Sequence, residues 1–66
     1  MTQAVNGTGK RFTAIVVDDD VILRRRLSGI LSGAGDFEVL GEAGSVAEGL
    51  GLVTRGPQLA LVDLGL

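Results

Sequence analysis

The sequence predicts an α/β fold, a doubly wound parallel sheet in the order strand, helix, strand, helix, strand. Three observations carry that prediction. Two short apolar runs, Ala14-Ile15-Val16-Val17 and Leu59-Ala60-Leu61-Val62, each end abruptly in acid, at Asp18-Asp19-Asp20 and at Asp63. Two segments with apolar residues at helical spacing lie between them, parted by a further extended run, Phe37 to Glu42. Hydrophobic residues make up 45% of the chain, yet Phe12 and Phe37 are its only aromatics. The core must then be Val, Leu, Ile and Ala, as in sheets covered by helices on both faces.

Taken in order, residues 1–11 read as a disordered tail and 12–66 as the folded unit. Met1 to Lys10 hold Asn, Gly and Thr without an apolar period. Gly9-Lys10 does not make a phosphate loop, because Ala4 replaces the first glycine and Arg11 the hydroxyl residue after lysine. Phe12 to Val17 form the first strand, rich in β-branched residues. Asp19 or Asp20 can then cap a helix whose apolar stripe is Leu23, Leu27, Ile30, Leu31 and Ala34. Arg24, Arg25 and Arg26 lie mostly off that stripe, as a solvated face would. Gly33 and Gly35 stop this helix. Phe37 to Glu42 form the second strand, whose mixed pattern suits an edge position. Ser45-Val46-Ala47-Glu48 matches a capping box. The helix it opens carries Val46, Ala47, Leu50 and Val53 at helical spacing. Gly49 and Gly51 weaken that helix, so packing must hold it. Gly56-Pro57 ends it, with Gly56 expected as the C-cap. Leu59 to Val62 form the third strand, apolar on both faces like a central parallel strand. Right-handed crossovers predict the strand order second-first-third, with the helices on opposite faces.

The composition excludes several classes of function. The chain has 66 residues, near the lower limit for a self-sufficient core. Its formal net charge is −2 and its pI is near 4.7, which argues against nucleic-acid binding by this segment. It has no Cys and no His, so disulfides, thiolate metal sites and a histidine base are excluded. No apolar run approaches a membrane span and the N-terminus lacks the apolar centre of a signal peptide. The expected location is cytoplasmic.

The acids are the chemistry-bearing feature. A structural core does not want three adjacent carboxylates. They make sense at the carboxyl ends of parallel strands, where open α/β sheets place their ligand sites. If the first and third strands are neighbours, Asp63 stands beside Asp18 and Asp19. Carboxylates gathered at one spot repel each other, and a cation resolves the repulsion. The bland account of the same residues is helix capping plus a solvated rim acid. For Asp20 that account is preferred.

The acidic pair after an apolar strand, the helix with Arg24 and Leu27, Gly41-Glu42-Ala43, and Leu61-Val62-Asp63-Leu64-Gly65-Leu66 together resemble the receiver domain of two-component response regulators. The last two stretches look most like regulators with a C-terminal helix-turn-helix output domain. The resemblance covers Phe12 to Leu66, about the first half of such a domain. It implies a flavodoxin-like sheet. It implies that Asp63 accepts a phosphoryl group from a sensor histidine kinase. It also implies that Mg²⁺ is held by Asp18, Asp19, Asp63 and the backbone carbonyl of Gly65, with Asp19 a more direct ligand than Asp18. By the same resemblance, the three arginines lie on the helix that meets the phosphodonor, and the chain is a regulator rather than an enzyme. DNA is reached only through an output domain outside these residues, and the full-length protein could form a homodimer. The family also supplies a Ser or Thr after its fourth strand and a Lys after its fifth. Neither element is present here, and the only lysine is Lys10.

A different class also fits part of the pattern. Asp18-x-Asp20-x-Ile22 after a strand resembles the nucleophile motif of haloacid-dehalogenase-type phosphohydrolases, with Ile22 where Thr or Val is usual. There Asp18 would be the nucleophile and Asp63 would have no role. That fold inserts extra turns after its first strand, whereas here the helical stripe starts within a few residues. A truncated product without independent function is the third reading.

Overall fold

Five elements follow in the expected order in the computed structural model, which describes residues 11–64: β1 (Phe12–Asp18), α1 (Val21–Gly33), β2 (Phe37–Ala43), α2 (Val46–Val53) and β3 (Leu59–Asp63). The expected tail, apart from Arg11, and Gly65 lie outside the described residues. The strands form one parallel sheet in the order β2-β1-β3. The second strand is therefore an edge, as its mixed pattern suggested. Among the described residues no helix is long and apolar enough to cross a membrane.

β1 holds the centre because it is apolar on both faces. Ala14, Ile15, Val16 and Val17 are all buried, and with Ala43 they are the buried apolar residues of the described chain. Alternation along β1 divides them between the two helices. Ile15 and Val17 face α2, whose Gly49 is so close that a Cβ there would lie 2.9 Å from Val17 Cγ2. Ala14 and Val16 face the other way. Their register partners there are Val39 and Glu42, which line the groove beneath α1 with Ser28 and Ser32. The helices thus cover opposite faces, and no contact joins α1 to α2.

The pairing of β1 with β2 is not uniform. Ala14 pairs with Val39, but Ile15 pairs with Gly41, so Leu40 is an extra residue in β2. Such a bulge switches the faces of everything that follows it. Before it, Phe37 and Val39 share the face of α1. After it, Gly41 and Ala43 turn to α2 and Glu42 to α1. The bulged Leu40 carbonyl accepts from Arg55 Nη1 at 2.6 Å. The Leu40 side chain packs on the cluster of Ile15, Val17 and Ala43, joined by Leu52 and Leu64. Gly41 makes room for Leu52, whose Cδ2 would sit 2.7 Å from a Cβ at position 41.

The helices begin where expected. The Asp20 carboxylate caps α1, accepting from Leu23 N–H at 3.0 Å. Ser45 Oγ accepts from Glu48 N–H at 3.2 Å, and Glu48 Oε1 accepts from Gly44 N–H at 2.7 Å. The capping box therefore reaches one residue further back than the N-cap itself. Their ends differ slightly from expectation. α1 ends at Ala34, with Gly35 at φ 84° just beyond it. α2 ends at Thr54 rather than Gly56, which follows two residues later at φ 71°.

The apolar stripes are not what the helices bury. In α1 the buried residue is Ser28, while Leu23, Leu27 and Leu31 are half-buried and Ile30 and Ala34 are exposed. In α2 the buried residue is Gly49, while Val46, Ala47, Leu50 and Val53 are exposed. Small residues at the crossing point let each helix lie close to the sheet, and the larger apolar side chains then fall on the flanks. The third strand departs furthest from its central-strand pattern. It is an edge, neither helix packs closely on it, and Val62 is 59% exposed. Val46, Leu50, Val53, Ala60 and Val62 line an apolar groove of about 130 Å³ with Ile15 and Val17 at its floor.

Two measurements follow. Gly51 has nothing within 4 Å of an added Cβ, whereas Gly49 would meet Val17. Gly51→Ala should raise the urea midpoint, by up to about 1 kcal/mol of helix propensity. Gly49→Ala should forfeit that gain, and Gly49→Leu should destabilise the chain. Equal gains at both positions would contradict the close crossing. In addition, an exposed edge beside an apolar groove should make the chain self-associate. Sedimentation should show mass rising with concentration, and a single monomeric species across the range would contradict this.

Candidate functional site

The acids lie where the strands end. β1 and β3 pair in register so that Asp18 stands directly opposite Asp63. Paired residues of neighbouring parallel strands share a face, with the strands about 4.8 Å apart. Asp19 follows in the bend between β1 and α1, and Asp20 opens the helix.

The four acids differ in environment. Asp18 is 2% exposed, the most buried charged residue described. Its Oδ1 accepts from Asp20 N–H at 2.9 Å, which closes the turn into α1. Its Oδ2 is buried with no hydrogen-bond partner. A buried carboxylate oxygen without a partner is costly, so such an atom calls for one. Asp19 and Asp63 are exposed at the rim. The Asp20 carboxylate is engaged by Leu23 N–H, in keeping with capping rather than ligation.

Arg24 is the one of the three arginines that turns to this rim, which the sequence did not single out. It points back from the first turn of α1, donates from Nη1 to the Asp18 carbonyl at 3.1 Å, and pairs through Nε with Glu42 Oε1 at 3.3 Å. Arg25 and Arg26 are exposed, as a solvated face requires. Three consecutive arginines do not announce which one turns inward. The available signal is spacing, since Arg24 lies one turn beyond the capping Asp20 and donates its own N–H to the Asp20 carbonyl at 2.8 Å. The groove between α1 and β2 is lined by none of Asp18, Asp19, Asp20 and Asp63.

The residues suit a hard cation in kind. All are oxygen donors, and the buried Oδ2 of Asp18 has a lone pair without a hydrogen-bond partner. As they stand, no three acidic side chains among the described residues form a group that could hold a metal. Asp18 and Asp63 are brought together as register partners and Asp19 is adjacent in the chain. The Gly65 carbonyl lies outside the described residues. Removing the cap tests the division of labour among the acids. Asp20→Ala should lower stability by about 1 kcal/mol in a denaturation curve while leaving divalent-cation binding unchanged. A loss of cation binding in that variant would make Asp20 a ligand. No protein-family model, curated protein or solved structure matches this chain.

Proposed function

We propose that this segment is the phosphoacceptor part of a flavodoxin-like receiver domain of a two-component response regulator, with Asp63 as the acceptor. The observation that carries the reading is the register pairing of Asp18 with Asp63, at the carboxyl ends of adjacent parallel strands, with Asp18 Oδ2 buried and unpartnered. In this reading a carboxylate oxygen of Asp63 attacks the phosphorus of a phosphohistidine. An O–P bond forms as the N–P bond breaks, and the departing imidazole takes up a proton. In this reading Asp18 and Asp19 would hold Mg²⁺, which would supply positive charge against the acids and the incoming phosphoryl oxygens. Arg25 and Arg26 with Val21 and Ile22 form an exposed face beside the acids, Ile22 being 73% exposed, and that face suits contact with a kinase. A cytoplasmic location and a transcriptional output through a DNA-binding domain belong to the same proposal.

The hydrolase alternative is less well supported. α1 starts at Val21, directly after the capping Asp20, and leaves no room for extra turns after β1. It also gives no role to Asp63, the register partner of Asp18.

The test uses this segment joined to the remaining elements of a receiver, incubated with Mg²⁺ and a small acyl-phosphate donor. Label should appear on Asp63, and Asp63→Asn should abolish it. Undiminished label in Asp63→Asn, lost instead in Asp18→Asn, would favour the hydrolase. The 66-residue chain alone should take no label, because it has no Lys after Lys10 and so none at the strand ends to meet the phosphoryl oxygens. Stoichiometric label on the chain alone would contradict this.

A further inference from the structure

Arg24 ties together the ends of two strands. One guanidinium reaches the Asp18 carbonyl at 3.1 Å and Glu42 Oε1 at 3.3 Å, and its side chain is 17% exposed. A guanidinium can hold two acceptors in a fixed planar fork, which an ammonium cannot. The carbonyl it grips belongs to the residue whose Oδ2 is buried without a partner, and the peptide that follows is that of Asp19. Gly44 admits this arrangement. A Cβ at position 44 would lie 2.8 Å from Arg24 Nη1, and its backbone is not in the left-handed region, where only Gly35 and Gly56 are found among the described residues. Glycine at 44 therefore gives the guanidinium its room, while the backbone there would admit other residues.

We propose that Arg24 is a positioning residue for divalent-cation binding at Asp18 and Asp19, and that Gly44 is the space that seats it. By fixing the Asp18–Asp19 peptide, Arg24 sets where the two carboxylates leave the chain. The proposal rests on the reading that these acids take a cation. Charge alone would give Arg24 the opposite effect, because a nearby cation repels another, although Glu42 offsets it. A variant that moves the guanidinium without changing any charge separates positioning from repulsion.

Gly44→Ala is that variant. The atom it would strike is the end of a flexible side chain, so Arg24 yields and the fold remains. The probe is Mn²⁺ binding by electron paramagnetic resonance, with Mg²⁺ titration of the Asp19 and Asp20 amide signals as a second readout, on the 66-residue chain. Gly44→Ala should weaken binding by about tenfold, the scale of losing a residue that orients a ligand. In an Arg24→Met background the same substitution should change nothing, since its effect runs through Arg24. Unchanged affinity in Gly44→Ala, or equal weakening in both backgrounds, overturns the proposal. So does a lowered thermal midpoint without a change in affinity, which is the mark of a structural role alone. If Gly44→Ala does not fold, Arg24→Lys keeps the charge but loses the fork. It should weaken binding severalfold, and unchanged binding overturns the proposal. Asp18→Asn distinguishes the two levels. If it abolishes binding while Gly44→Ala does not, only the role of Arg24 falls. If Asp18→Asn binds like the parent chain, or the parent binds no ion, the cation reading falls and the proposal with it.

Discussion

Burial of β1 on both faces is the constraint on which the rest of this structure depends. Ala14 to Val17 are covered by α1 on one side and α2 on the other, and their backbone is paired on both edges. A strand so placed cannot slip by one residue without exchanging its two helix contacts. That requirement orders the chain around it, with β2 and β3 as edges and one helix for each face. It also places Asp18 at the last paired position, still within the buried layer, so a carboxylate is held where an apolar side chain would ordinarily be. The local turn satisfies one of its oxygens and leaves the other open. The chemistry proposed for the rim comes from that conflict between strand burial and residue type.

Element order, strand order and the N-terminal caps were legible in the sequence because each depends on local signals. β-branched runs, a capping aspartate, an S-x-x-E box and Gly-Pro punctuation act over a few residues. The handedness of crossovers then leaves little freedom in assembling them. The candidate acids were legible for a related reason, since acids directly after an apolar run can only emerge at a strand end. Their pairing across β1 and β3 followed from the topology.

What was not legible depends on contacts between elements. The bulge at Leu40 is a choice between two registers that the alternating pattern alone cannot resolve, and its carbonyl is met by Arg55 from fifteen residues away. The rotation of the helices is of the same kind. Apolar stripes predict that Leu50 and Val53 pack on the sheet, yet Gly49 is the residue set closely over Val17, and Leu50 and Val53 line the open groove toward β3. Ser28 takes the corresponding place in α1 and leaves a buried hydroxyl without a partner. Arg24 was hidden within a run of three arginines that composition treats alike.

These close crossings have a consequence for the rim. Each helix anchors to β1 and β2, and neither packs closely on β3. β3 is held by its backbone pairing with β1 and by Gln58, whose N–H donates to the Thr13 carbonyl at 2.9 Å and whose Oε1 accepts from Thr13 N–H at 3.0 Å. The strands that bring the acids to the rim are therefore covered differently by the helices. Asp18 is fixed by burial, by its own turn and by Arg24. Asp63 stands at the end of an edge strand whose apolar side chains are largely uncovered. Asp18 thus reaches the rim from the buried central strand, and Asp63 from an edge strand that neither helix covers.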